Sequence, residues 1–481
     1  MAPPADDQAK PARVRLRMYR IGFGDCFLLS FEYGAALNDG RSERHILIDF
    51  GSTSRPRGQR DLVPIARLIN RHTNGGELDV VVVSHRHKDH LSAFADSDVT
   101  DVIAKQGFPR LVVRSWTEHP DAPRASTGGA GIRGLSPAVG DRSAQFLATL
   151  DRAEEFADVL ASKTPASSTR SLVGLLHHSA SNQLRNADAV KKLKAWGEAG
   201  SAEFVHYGTP SGIEKVVPGI TVKVLGPPTV DQHARVATQK SRDKEEFWMV
   251  YRRLLDDLSP ADFGLDDHPE SESDADDEGV PAPPATPMDA AAIDAPIVTT
   301  GFGDPGPVRW LTDRMGRQRI NSLLRIVRIL DNVLNNTSVI LLIDVPGAKP
   351  LRLLFPGDAQ IENWEYALKF AADKKANLDL LRRVDLYKVG HHGSRNATPR
   401  TLYNLWMEPA TRDQEMVAVM STKSGVHGES AATAVPRKTL VAALDTRMTL
   451  LSTQSLSSKQ PWFELEADCS ATTGLVKVAG P

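Results

Sequence analysis

The chain has 481 residues, of which 41% are hydrophobic and 25% charged, with a formal net charge of -2. Those proportions belong to a globular protein with ample core, built as one large domain with insertions or as two to three ordinary domains. They exclude an overall electrostatic pull toward nucleic acid, although the field at a site is set by its neighbours and not by the sum. No apolar run approaches the roughly 20 residues needed to cross a bilayer, so no membrane partner is expected. Met1 to Asp7 lack the basic start and apolar core of a signal peptide, and Cys26 and Cys469 are the only cysteines, so a reducing cytoplasm is the expected compartment.

Residues 1–12 are expected to form a disordered tail. Arg13-Val14-Arg15-Leu16-Arg17-Met18 alternates basic and apolar residues, which predicts a strand with one face in the core and the other cationic. Strands follow at Cys26 to Phe31 and His45 to Asp49, then a helix near Leu62 to Arg71. Val80-Val81-Val82-Val83 is short, β-branched and continuously apolar, the pattern of a strand buried on both faces. Directly behind it, Ser84-His85-Arg86-His87-Lys88-Asp89-His90 places four metal-binding side chains within six residues, at the strand end where α/β proteins hold their sites. In an extended segment His85 and His87 project to the same side and can converge on one ion. Asp89 and His90 lie where the chain turns into a helix begun by Leu91-Ser92-Ala93-Phe94, and can reach a second ion. These donors suit zinc, manganese or iron. The plain alternative is a polar loop rich in histidine, and the spacing behind a buried strand speaks against it.

Residues 95–215 are expected to be a largely helical insertion, in which Phe146, Leu147, Leu150, Phe156 and Leu160 mark an amphipathic helix over Ala144 to Ser162. That helix packs on the domain or walls a substrate cleft, and the insertion offers a surface to a partner protein. His177, His178 and His206 are lone histidines, a type usually solvated or satisfied structurally, and are expected away from any metal. A strand at Ile220 to Leu225 returns the chain to the sheet. A second insertion, 229–335, contains an acidic stretch from Asp256 to about Pro296 too poor in apolar side chains to offset its ordering entropy; it reads as a disordered linker. Ile320, Leu323, Leu324, Val327 and Leu330 then predict a helix ending near Leu334. Strands are expected at Ser338 to Asp344 and at Leu353 to Phe355, the latter followed by Asp358, which either caps the next helix or serves as a ligand. Val417 to Ser421 is a further strand, with His427 in the glycine-flanked loop behind it. A helix at Leu440 to Leu444 and a strand at Met448 to Ser452 close the pattern.

His85-x-His87-x-Asp89-His90 after a buried strand resembles the metallo-β-lactamase fold, and other pieces match in order. His45-Ile46-Leu47-Ile48-Asp49-Phe50-Gly51 resembles the strand whose aspartate orients that family's metal loop, and Leu353-Leu354-Phe355-Pro356-Gly357-Asp358 the strand whose carboxylate bridges its two metals. Asp385-Leu386-Tyr387-Lys388-Val389-Gly390-His391-His392-Gly393-Ser394 is similar to a narrower branch, the metallo-β-lactamase domain of the DNA-uptake competence protein ComEC and its soluble relatives. Gly22-Phe23-Gly24-Asp25-Cys26, Asn335-Asn336-Thr337-Ser338-Val339 and Ser424-Gly425-Val426-His427-Gly428 fall in the same order.

The resemblance implies a four-layer αββα sandwich over 13–481 and two divalent ions, zinc or manganese with iron admissible. Their ligands would be His85, His87, Asp89, His90, Asp358, His392 and His427, with Asp25 and Asp49 behind them. Many relatives carry a further histidine in mid-chain that has no counterpart motif here, and in this branch His-His-Gly-Ser supplies the missing ligand. His391 is then the contact to the phosphoryl oxygens, the roles of His391 and His392 being exchangeable, and His391 and Asp89 are the residues assigned to catalysis. The implied activity is metal-dependent hydrolysis of a phosphodiester, in nucleic acid or a nucleotide-derived substrate, by a metal-activated water. Two alternatives stand beside it: hydrolysis of a carbon ester, lactone, lactam or thioester on the same dinuclear site, and a non-catalytic subunit of a multi-protein system, such as one for defence. The competence proteins join this domain to a membrane channel that this chain lacks, so DNA uptake is not implied.

Overall fold

Alternation of side chains along the strands decides how this molecule stacks. In a computed structural model, which describes residues 9–120, 140–148, 150, 186–238, 246–247, 333–407, 416–426 and 434–478, the strands are β1 (Pro11–Tyr19), β2 (Cys26–Tyr33), β3 (Glu43–Phe50), β4 (Val80–Val82), β5 (Leu111–Ser115), β6 (Ala202–Val205), β7 (Thr221–Gly226), β8 (Ile340–Val345), β9 (Leu351–Phe355), β10 (Leu386–Lys388), β11 (Val417–Met420), β12 (Thr449–Ser452), β13 (Trp462–Asp468) and β14 (Val476–Val478). They form two sheets, ordered β14-β13-β1-β2-β3-β4-β5-β6 and β12-β11-β10-β9-β8-β7. In the first sheet β3, β4, β5 and β6 run parallel, and in the second β9, β10, β11 and β12 do.

Odd and even residues of one strand enter different cores. Val80 and Val82 of β4 join Leu16, Phe27, Leu341 and Leu353 in a cluster fed by both sheets, whereas Val81 joins Ile65, Leu68, Val99, Leu193 and Trp196 on the first sheet's outer face. Leu354 and Tyr387 of the second sheet likewise turn outward onto Trp364, Leu402, Trp406 and Leu440. The molecule is therefore mixed α/β, two sheets with helices flanking them. The helix at Val63–His72 shows the local reasons: Pro64 stands in its first turn, Asp61 Oδ1 accepts from the Val63 N–H at 3.1 Å, and Ile65, Leu68 and Ile69 bury one stripe. Among the described residues no helix is long and apolar enough to cross a membrane.

Several expectations need adjusting. β1 begins at Pro11, inside the tail expected to be disordered to residue 12, because Pro11 already pairs with Tyr33; residues 1–8 lie outside the described residues. The interval 95–215 is more than a helical insertion, since it supplies β5 and β6, whose Leu111-Val112-Val113 run is buried on both faces. The helix after the metal motif is Lys88–Leu91, so Asp89 and His90 stand within it and not ahead of it. Of the expected helix over Ala144 to Ser162, residues 151–162 lie outside the described residues, while Phe146, Leu147 and Leu150 pack on Trp116. The acidic stretch from Asp256 to Pro296, the apolar stripe from Ile320 to Leu330, His177, His178 and His427 also lie outside the described residues.

Candidate metal centre

Parallel strands of both sheets end at one place. β3 carries Asp49 as its next-to-last residue, β4 leads into His85 to His90, β9 into Gly357-Asp358, β10 into His391-His392 and β11 into Ser421. Three backbone hydrogen bonds lace these ends together: Val339 N–H to Ser84 O at 2.8 Å, Asp25 N–H to Asp89 O at 2.9 Å and Phe23 N–H to Ser54 O at 2.9 Å. The approach of the chains leaves no room for side chains on Gly24 and Gly51; a Cβ on Gly51 would lie 2.5 Å from Lys88 O and 2.7 Å from His90 N.

Asp89, His90, Asp358 and His392 each direct one donor atom to a common point, all four within 4.8 Å of one another. His90 Nε2 lies 3.1 Å from Asp358 Oδ2, and His392 Nε2 lies 3.0 Å from Asp89 Oδ2 and 3.6 Å from Asp358 Oδ2. Ligands about 2.1 Å from a tetrahedral ion stand roughly 3.4 Å apart, so this spacing fits a small divalent cation. Beside them His85 Nε2 and His87 Nδ1 face each other at 2.9 Å. His391 is more peripheral, with Nε2 at 4.0 Å from Asp358 Oδ2 and its side chain 24% exposed.

The far nitrogens are pinned. His90 Nδ1–H donates to Asp49 Oδ2 at 2.8 Å, and His392 Nδ1–H donates to the Ser421 carbonyl at 2.8 Å, which leaves each Nε2 to turn toward the aspartates. Asp49 is itself held by the Ser84 N–H and hydroxyl, both at 2.7 Å. Behind His392, the Phe23 ring packs at a tilt with its centroid 4.3 Å away, and Asp25 Oδ1 lies 3.6 Å from His392 Nδ1. Asp49, His391 and His392 adopt left-handed backbone, φ 54, 40 and 52, a conformation that costs non-glycine residues on the order of 1–3 kcal/mol each and collects at functional sites.

Charge argues for the same ion. Asp25, Asp49 and Asp358 are buried, Asp89 nearly so, and Lys388 is the fixed cation among them: its ammonium pairs with Asp25 and lies 3.3 Å from Asp358 Oδ1 and 2.8 Å from Gly357 O. Four carboxylates stand against one ammonium and the imidazoles of His90 and His392, whose hold on their protons the carboxylates strengthen, and a divalent ion would take the place of those protons. Burial opposes charge on His90 and Asp358 alike, yet each holds the other charged: Asp358, Asp49 and Asp89 raise His90 well above the ordinary histidine range, and His90, His392 and Lys388 hold Asp358 well below the carboxylate range. Burial keeps His85 and His87 neutral, the latter down to about 4, so both offer the lone pairs a metal takes. The residues present fit a divalent metal ion.

Lys388, Ser84, Ser421 and Phe23 were not singled out individually from the sequence. Lys388 sits in the quoted Lys-Val-Gly-His-His stretch, where an alternating strand facing the site on one side was the available signal. Asn335, which approaches His87, likewise stood in a quoted motif without an assigned role. Asp358 does not cap the following helix, whose N-cap is Gln360. His206 stands at the end of β6, donates from Nδ1 to the Tyr207 carbonyl at 3.0 Å, and is not among the converging donors. No protein-family model matches the chain, and no curated protein matches it.

Proposed function

We propose that the chain is a metal-dependent hydrolase of phosphodiesters, in nucleic acid or a nucleotide-derived molecule, on an αββα metallo-β-lactamase fold. Two sheets that share one core, with helices on their outer faces, support that fold, and the order of the quoted motifs supports the donor set. The observation that carries the reading is the convergence of Asp89, His90, Asp358 and His392 from two sheets, with the far nitrogen of each histidine already committed.

Bound divalent ions supply a water acidic enough to act as a nucleophile near neutral pH and polarise the phosphoryl oxygen. The protein's part is to hold and orient. His85, His87, Asp89, His90, Asp358 and His392 would hold the ions, with Asp358, whose Oδ2 lies 3.1 Å from His90 Nε2 and 3.6 Å from His392 Nε2, placed between the two histidines. Asp49 and the Ser421 carbonyl keep the Nδ1 protons in place, so Nε2 is the nitrogen that each histidine would give to a metal, in exchange for its proton. His391, which burial lowers to about 4, is neutral at physiological pH and keeps an N–H to donate to a phosphoryl oxygen.

Metal-stripped protein reloaded with zinc or manganese is expected to hydrolyse bis-p-nitrophenyl phosphate faster than p-nitrophenyl acetate. Asp358→Asn and His392→Ala are expected to lose bound metal by elemental analysis and to lose turnover with it. Full metal content in both variants would sink the assignment, and turnover of the acetate alone would favour a carbon-ester hydrolase.

A further inference from the structure

Arginine elsewhere on the first sheet is neutralised. Arg13, Arg15 and Arg17 of β1 are bridged to Glu32, Glu43, Glu464 and Glu466, and Arg41 and Arg44 to Glu77, Asp79 and Asp39. The loop after β3 departs from that pattern. Ser54-Arg55-Pro56-Arg57-Gly58-Gln59-Arg60 carries three exposed arginines, and none of them is in an ion pair among the described residues.

This loop is tied to the metal centre. Ser54 forms an isolated bridge with Phe23, the residue whose ring packs against His392. Lys423, two residues past the carbonyl that holds His392, donates to Ser54 Oγ at 2.8 Å and to the Arg55 carbonyl at 2.7 Å. An open cleft of about 490 Å³ runs from Arg55 to Lys88, the neighbour of Asp89, past Ser52 and Ser92. Asp61 and Asp96 also line it, but each carboxylate is engaged at a helix start, accepting from the Val63 N–H at 3.1 Å and the Asp98 N–H at 2.9 Å. Arg55, Arg57, Arg60 and Lys423 thus gather four cations on this loop and its anchor, against the two carboxylates of the cleft, in a molecule whose net charge is -2.

We propose, resting on the phosphodiesterase reading above, that this flank is a track for the phosphate backbone of a nucleic-acid strand, so that the substrate is a polymer and not an isolated nucleotide. Residues 54–62 contain no aromatic side chain, so the track offers charge to phosphates without a surface for stacking on bases, and recognition there is independent of base sequence.

The test is binding of a fluorescein-labelled 20-mer of thymidylate to the metal-loaded full chain, by anisotropy over a series of potassium chloride concentrations, in the parent and in the R55Q/R57Q/R60Q variant. Each neutralised phosphate of a single strand contributes about 0.7 to the slope of log affinity against log salt, so the variant's slope is expected to be shallower by about 2. Circular dichroism confirms the fold of the variant, whose three changes lie on an exposed loop. An unchanged slope and affinity overturn the track, as does parental binding to phosphatidylserine vesicles with none to the oligonucleotide. Hydrolysis of bis-p-nitrophenyl phosphate by the parent is read separately. Its absence overturns the phosphodiesterase reading, whereas its presence with an unchanged variant slope overturns the track alone.

Discussion

An ammonium buried between carboxylates is stable only while its partners remain, and the partners only while it does. Lys388, 2% exposed, touches Asp25, Asp358 and the Gly357 carbonyl, and the two carboxylates raise it above the ordinary lysine range against the opposing effect of burial. Removing one partner of a buried pair leaves an uncompensated charge and costs about 3–5 kcal/mol. Lys388→Met, which keeps the volume and drops the charge, is therefore expected to lower the unfolding free energy of the metal-stripped protein, read from urea titration, by an amount in that range. A variant as stable as its parent would show that the carboxylates find their counter-charge elsewhere. His85, His87, Asp89 and His90 were legible as candidate ligands from type and spacing, and Asp358 and His392 from the resemblance, but Lys388 was not. Its role comes from where β10 lies beside β9, a pairing that spans 31 residues between Gly357 and Lys388 and leaves no local trace.

At the scale of elements, the helix that carries Asp89 and His90 depends on a glycine that is not in it. Gly51 at the end of β3 lets the Lys88–Leu91 helix approach so closely that a Cβ would sit 2.5 Å from Leu91 N and from Lys88 O. Gly51→Ala is expected to push the helix, and with it Asp89 and His90, off the common point. Disturbing the support behind ligands typically costs 10–100-fold in metal affinity, and that is the expected loss in a zinc titration against a competing chelator dye. Gly34→Ala, with nothing within 4 Å of its Cβ, is the control expected to bind as the parent does. Equal affinities in the two variants would mean that the contact yields. Strands with clean alternation or a buried apolar run, β1 to β4 and β7 to β9, were readable in sequence because burial repeats with the strand's own period. β5 and β6 were missed inside an interval taken as a helical insertion. β13 was missed although Phe463, Leu465 and Ala467 alternate with exposed or half-buried residues; its partner β1 is more than 440 residues away, and only pairing makes the short pattern decisive.

For the whole molecule, the small net charge conceals a division of labour among its cations. On the first sheet's outer face the arginines of β1 lock to glutamates and surround His45, whereas the loop at 54–60 leaves its arginines to solvent. His45 is fully buried, with Nδ1 3.0 Å from Ser30 Oγ, Glu43 3.6 Å from Nε2 and Asp79 accepting from its N–H at 2.8 Å. Burial first, then Arg41, Arg17 and Arg44, push its pKa down to about 3. In the unfolded chain a histidine takes up its proton near 6.5, so between roughly pH 6.5 and 3 the unfolded state binds more protons than the folded one. Stability from this group is therefore present above pH 6.5 and lost as pH falls through that window. His45→Gln keeps a hydrogen-bonding side chain and removes the titration, and Glu43, Asp79 and the three arginines are common to both proteins. The drop in urea midpoint between pH 7 and pH 5 is expected to be smaller in the variant than in the parent. An equal drop in both would mean that the pH dependence arises elsewhere and that His45 accepts its proton in the folded state.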